Sequence, residues 1–209
     1  MRLFLLTTLT LTLSIASSAA TLFDNGGYSG QQSLRLNSGR WTMYDDFTLD
    51  STSTVTGVEW GQHDNNGDYI STVLEIYAGS LDSNALVFSV TLAANRTLNG
   101  NPALLGGTFK GYDYSLGGLN LVLGPGSYFL SLHNNGSLQS AWDETDGNSS
   151  TIGGRYQRRI GAEAAAFYAQ EDSVFRIIGE TESVPEPSSL ALMAIGGVAV
   201  FGRRWMKRG

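Results

Sequence analysis

Asp64-Asn65-Asn66-Gly67-Asp68 sets the side-chain oxygens of Asp64, Asn66 and Asp68 at alternate positions, the spacing with which loops wrap a hard cation such as calcium. The stretch is shorter than an EF-hand loop and has no bidentate glutamate to close it. Asp64, Asn66 and Asp68 therefore stand as calcium candidates only, and no other cofactor is indicated. A second acidic run, Asp143-Glu144-Thr145-Asp146-Gly147-Asn148, reads as a solvated loop tip, since Asp, Asn and Gly are the residues that turns select.

Catalytic chemistry finds little to work with. The two histidines are His63, beside Asp64 in an expected loop, and His133, at the end of an expected strand. Neither is accompanied by a nucleophile elbow or a zinc-binding helix motif. Glycoside hydrolysis needs two carboxyl groups facing each other across a cleft. Asp45 and Asp46 are adjacent, so on a strand they point to opposite faces and cannot form such a pair. Glu59, Glu75 and Asp113 are possible members, but no pattern singles them out. No catalytic residue is assigned, and a non-enzyme is expected.

Trp41, Trp60 and Trp142 could stack on sugar rings if they shared an exposed face. Trp41 and Trp60 sit in apolar strand patterns that point to the core. Trp142, at the edge of the second acidic run, is the best candidate for exposure.

The elements that would position these residues are strands. Charged residues make up 15% of the chain, with 26 Gly and only 4 Pro, a profile of many turns rather than of a helical bundle. In "WTMYDDFTL" Trp41, Met43, Phe47 and Leu49 share a face interrupted by Asp45. "STVLEIYAG" sets Leu74 and Ile76 against Glu75 and Tyr77, "ALVFSVTL" aligns Leu86, Phe88, Val90 and Leu92, and "GSYFLSLHN" alternates Tyr128, Leu130 and Leu132 with Phe129, Ser131 and His133. "SVFRIIGE" closes the domain with Val174 and Ile178 flanking Arg176.

Turn signals recur between these runs, among them Asn66-Gly67, Asn99-Gly100, Gly117-Gly118, Pro125-Gly126, Asn135-Gly136 and Asp146-Gly147. "GAEAAAFYAQ" alone has helical composition, and its alternation favours a strand or a single turn. The expectation is an all-β, antiparallel β-sandwich, jelly-roll-like, over residues 21-183.

Cysteine is absent, which excludes disulfides, thiolate metal sites and a Cys nucleophile, so the body must hold by burial. The net charge of −6 hides an asymmetry: Thr21 to Val184 carries 18 acids against 8 bases. Phosphate backbones repel such a surface, and nucleic acid is not an expected partner.

The two ends have a composition of their own. Residues 1-20 begin with Arg2, run through an apolar stretch from Leu3 to Ile15 and close on Ser18-Ala19-Ala20. That is the pattern of a signal peptide cut between Ala20 and Thr21, where signal peptidase admits only small side chains. At the other end Leu190 to Gly202 is a run of 13 uncharged residues, about 20 Å as a helix. This is short against a hydrocarbon core of about 30 Å, though flanking residues extend it. Arg203, Arg204, Lys207 and Arg208 follow as a stop-transfer signal that stays on the cytoplasmic side. Ahead of the run, Pro185 and Pro187 hold the chain extended.

This layout, Val184-Pro185-Glu186-Pro187, then a short hydrophobic single transmembrane helix, then a basic end, resembles the PEP-CTERM sorting signal of Gram-negative bacteria. The resemblance covers residues 184-209. It implies recognition by an exosortase, a membrane peptidase that cleaves near the motif, and transient membrane insertion. It also implies delivery of the body to the cell surface or matrix in company with exopolysaccharide in a biofilm. The expected function is that of an exported, non-catalytic surface protein; a carbohydrate-binding module is the second reading and a polysaccharide hydrolase the third.

Overall fold

The computed structural model describes residues 19–36, 41–65, 67–81, 85–145, 155–159, 166–169 and 172–182. Thirteen strands follow one another: β1 (Ala20–Asp24), β2 (Tyr28–Leu36), β3 (Trp41–Leu49), β4 (Ser53–Asp64), β5 (Tyr69–Ala78), β6 (Leu86–Leu92), β7 (Asn95–Leu98), β8 (Lys110–Leu123), β9 (Gly126–Gly136), β10 (Ser140–Thr145), β11 (Arg155–Arg159), β12 (Ala166–Ala169) and β13 (Phe175–Thr181). All pair antiparallel, in two sheets. One holds seven strands, with the path β1-β13-β4-β10-β2 and with β8 and β7 on the other side of β4. The second runs β12-β11-β3-β9-β5-β6. The all-β expectation is met, and Ala166–Ala169 of the alanine-rich segment forms a strand, the rest of that segment lying outside the described residues.

The inner faces of the two sheets share one apolar core. Met43, Phe47, Leu74, Ile76, Leu130 and Leu132 from the six-stranded sheet meet Val55, Val58, Trp60, Tyr114, Phe175 and Ile177 from the seven-stranded one. Period-two alternation puts these residues inward, as expected for β3, β5 and β9. Phe47 lies at the centre, its ring 5.4 Å from that of Tyr128 and 6.4 Å from that of Phe175.

Two local expectations are corrected, and a third feature is new. On β13 it is Phe175 and Ile177 that point inward, while Arg176 and Ile178 face out; a one-residue change of phase exchanges the two faces of a strand. Gly117-Gly118 is no turn. It lies within β8, beside an irregularity where the β4 register shifts between Val55 and Gly57, and the ladder continues past it. The outer face of the six-stranded sheet is not simply polar, because Tyr44, Tyr77 and Phe129 form a second small core there against Leu81 and Ala85.

Residues 1–18 and 183–209 lie outside the described residues, and with them the expected signal peptide and tail helix. No described helix is long and apolar enough to cross a membrane. The first and last described strands leave from one end of the seven-stranded sheet: Ala20 pairs with Gly179 and Thr181 with Ser53.

Two substitutions test where the stability resides. Phe47→Ala should cost about 3–5 kcal/mol in denaturant unfolding. Val122→Ala, on a residue 57% exposed, should stay within about 0.5 kcal/mol of wild type.

Candidate functional site

β4 carries the residues from which the site is built, and one of its edges is divided. β13 pairs with Ser53 to Trp60, and β10 takes over from Gln62 to Asp64. At the changeover, Gly61 N donates to Val174 O (3.2 Å) and Val174 N to Asp143 O (2.9 Å), so the lead-in to β13 crosses over β10. Gly61 is needed there. A Cβ would stand 3.2 Å from Asp143 Oδ2 and 3.3 Å from Val174 Cγ1, tighter than ordinary carbon contacts.

Alternation along β4 sends Trp60, Gln62 and Asp64 inward and Glu59, Gly61 and His63 outward. His63 is nevertheless fully buried. The Tyr28 ring packs on it at 5.3 Å, Nδ1 donates to Asp143 Oδ1 (2.5 Å) and Nε2 donates to the Pro102 carbonyl (3.1 Å). Gly111, across the ladder, keeps this space open, since a Cβ there would meet Asn99 Oδ1 at 2.5 Å.

Burial opposes the positive charge of His63, yet the Asp143 carboxylate and the Pro102 carbonyl outweigh it and hold its pKa above the ordinary value. Asp143 is itself raised, first by burial and further by the nearby Asp113 carboxylate, against the lowering pull of His63. The raised pKa and the acceptors at both ring nitrogens favour the doubly protonated imidazolium, in which neither nitrogen can take a proton from a substrate.

Beside this pair opens a cleft of about 520 Å³ on the outer face of the seven-stranded sheet, between the Gly26-Gly27-Tyr28 segment and β4, β8 and β7. Its carboxylates are Glu59, Asp113 and Asp143, and Thr97, Asn99 and Asn101 line its far side. Asp113 stands directly across from Gly61 and accepts from Asn99 Nδ2 (2.9 Å). Asp143 is 2% exposed, and its Oδ2 has no hydrogen-bond partner among the described residues. A buried acceptor left unmade costs free energy.

The expected site residues are scattered by this arrangement. Asp64 is turned into the core, where Arg96 grips both carboxylate oxygens, Nε at 3.1 Å on Oδ2, and Tyr114 donates to Oδ2 (2.8 Å). Asp68 lies in the loop, its N–H donating to Ser137 Oγ, and Asn66 falls outside the described residues. Asp143-Glu144-Thr145 belongs to β10 and is no loop tip; Asp146 to Asn148 lie outside the described residues.

His63 sits in a strand, not a loop, and His133 Nδ1 donates to the Trp41 carbonyl (3.0 Å). Trp142 is fully buried, packed on Phe175 at 5.6 Å with its Nε1 donating to Val174 O (2.9 Å). Trp60 is buried on Tyr114 and Trp41 is half-buried, so the three tryptophans form no exposed platform. Asp45 is fully buried on the inner face of β3 and accepts from Ser173 N (2.5 Å) and Asp46 N (2.8 Å). Burial, reinforced by Asp172, raises its pKa well above the carboxylate range despite the Ser173 hydrogen bond.

The tail is placed by comparison. The family model of the PEP-CTERM protein-sorting motif matches residues 183–208. The match begins directly after Glu182, whose N–H closes the last rung of the sheet on Thr52 O (3.0 Å). The chain carries this sorting motif, which marks an exported protein handled by an exosortase. No curated protein and no solved structure matches the chain.

Two measurements follow. A group whose folded pKa is raised holds its proton more tightly in the folded state, so its stabilisation is full at low pH and is lost as pH rises through the folded value. His63, Asp143 and Asp45 all have this sign. The carboxylates' part is lost from about pH 4 upward and that of His63 above about 6.5, so the melting temperature should fall with rising pH, and His63→Gln should reduce the neutral-to-alkaline part of the slope. With Asp64 committed to Arg96, calorimetric titration with calcium should give no heat and no rise in melting temperature; a rise would reinstate the calcium loop.

Proposed function

We propose that the chain is an exported, non-catalytic surface protein whose β-sheet body is carried across the inner membrane and handed over at its C-terminal motif, and which associates outside the cell with exopolysaccharide. The observation that carries this reading is the sorting motif at residues 183–208, joined directly to the last strand of the body. The physical sequence of events follows from the charges. A signal peptide cut between Ala20 and Thr21 starts export, and Leu190 to Gly202 pauses it.

Moving Arg203, Arg204, Lys207 and Arg208 through lipid would cost about 2.5 kcal/mol or more each at the bilayer centre. The basic end then stays inside, and Pro185-Glu186-Pro187, whose prolines favour an extended chain, meets the peptidase at the outer face of the membrane.

The absence of catalysis is supported by His63, whose two nitrogens are both engaged by acceptors. A carbohydrate-binding role is the second reading, favoured now by the polar cleft rather than by tryptophans. The cleft begins at Glu59, six residues along β4 from Ser53, roughly 20 Å from the end at which both termini leave.

The mature surface form should lack Leu190 to Phe201. Replacing Pro185-Glu186-Pro187 with three alanines should leave an uncleaved, membrane-bound form. Mass spectrometry of the surface fraction decides it: peptides spanning Leu190 to Phe201 in the wild-type protein would make the tail a permanent anchor.

A further inference from the structure

The cleft over Gly61 is acidic, polar and built around an unmet acceptor. Glu59 lies two residues along β4 from Gly61, Asp113 directly across on β8, and the buried Asp143 Oδ2 reaches over the bare glycine. Glu59 and Asp113 are diagonal neighbours in the ladder, about 7–8 Å apart along the backbone, and no group of three His, Asp or Glu among the described residues is arranged to hold a metal.

The basic groups nearby are already engaged. Arg176, opposite Glu59 in the ladder, is turned to Asp24 (2.9 Å), and His63 is held by Asp143. The cleft therefore presents acceptors in excess of donors and negative charge in excess of positive. Tyr28 lies on one side of it, and Thr97, Asn99 and Asn101 on the other.

An ammonium group carries three N–H donors and no acceptor, which is the complement of the exposed Glu59 and Asp113, with the buried Asp143 Oδ2 beneath them. The hydroxyl and amide groups ask in addition for a ligand with hydroxyls of its own, and an aromatic neighbour suits the C–H face of a sugar ring or a cation. At about 520 Å³ the cleft lies in the range that takes a small ligand, a sugar unit or two. We infer that it binds a glycan bearing free, protonated amino groups, one hexosamine unit seating its ammonium between Glu59 and Asp113 above Asp143. The inference stands on the cleft alone, so a failure of tail processing leaves it untouched.

The full-length chain in detergent, titrated calorimetrically with a four-sugar glucosamine oligomer, tests it. Three controls have matched length: the N-acetylated oligomer, a neutral glucose oligomer and tetralysine. The glucosamine oligomer should bind at least about tenfold more tightly than any of the three, the size expected for one charged hydrogen-bonded contact.

Glu59→Gln and Asp113→Asn, both exposed positions, should each weaken that binding by about tenfold without moving the melting temperature. Absence of binding, equal binding of the acetylated or neutral oligomer, or affinity unchanged in both variants would overturn the proposal. Tetralysine binding as tightly would also overturn it, in favour of a peptide ligand.

Discussion

The central constraint on this molecule is that one edge of β4 must satisfy two strands. β13 serves Ser53 to Trp60 and β10 serves Gln62 to Asp64, and backbone groups buried at the junction cannot be left without partners. The solution is local and specific. Val174 bonds at once to Gly61 and Asp143, Thr145 N donates to Asp172 O (2.9 Å), and Ser173 N is met by Asp45 from the opposite sheet. A side chain at position 61 would close this crossing. The same glycine opens the floor of the cleft, so the feature that splits the sheet also creates the cleft.

The inner end of β4 answers a second constraint. Gln62 and Asp64 face inward beyond Trp60, where an apolar core would be the cheaper filling. They are met by a chain of buried hydrogen bonds that ties the two sheets together. Trp60 Nε1 and Asn134 Nδ2 both donate to Gln62 Oε1, each at 3.1 Å, and Thr72 Oγ1 donates to Asn134 Oδ1 (2.7 Å). Arg96, stacked on Tyr112 at 3.8 Å, closes the end on Asp64.

Much of the fold could be read in the residues because alternation is a local property. β3, β5 and β9 display their inner faces in Met43, Phe47, Leu74, Ile76, Leu130 and Leu132, whatever lies opposite. The tail was equally legible, since its tripeptide, apolar run and basic end act in sequence order. The cleft was not. Asp143 looked like a loop acid because Asp146-Gly147 follows it, and Trp142 looked exposed because it sits next to Asp143. Both are buried by long-range pairing with β4 and by the crossing lead-in to β13, which no local pattern reports. The ion pair of Asp64 was hidden for a similar reason: its partner, Arg96, is 32 residues away. One signal was available. His63 and Gly61 alternate with Glu59 on a β-rich stretch, "VEWGQHD", which reads as a strand once the expected loop at Asp64 is moved one residue on.

The polar end of the core does more for specificity than for affinity between the sheets. A buried ion pair and amide chain are weak sources of net stability, but they penalise every misregistered alternative. Slipping β4 by one residue would turn Gln62 and Asp64 to the outer face and drive Glu59, Gly61 and His63 inward. That would take the Asp64 carboxylate from Tyr114 and Arg96 and the Gln62 oxygen from Asn134, and a buried donor such as the Tyr114 hydroxyl left unmade costs on the order of 1–3 kcal/mol. A chain with no cysteine has no covalent means to hold register after export. The inward polar residues of β4 supply a non-covalent one, and in fixing the strand they also fix Glu59 and His63 on its outer face, where the cleft requires them.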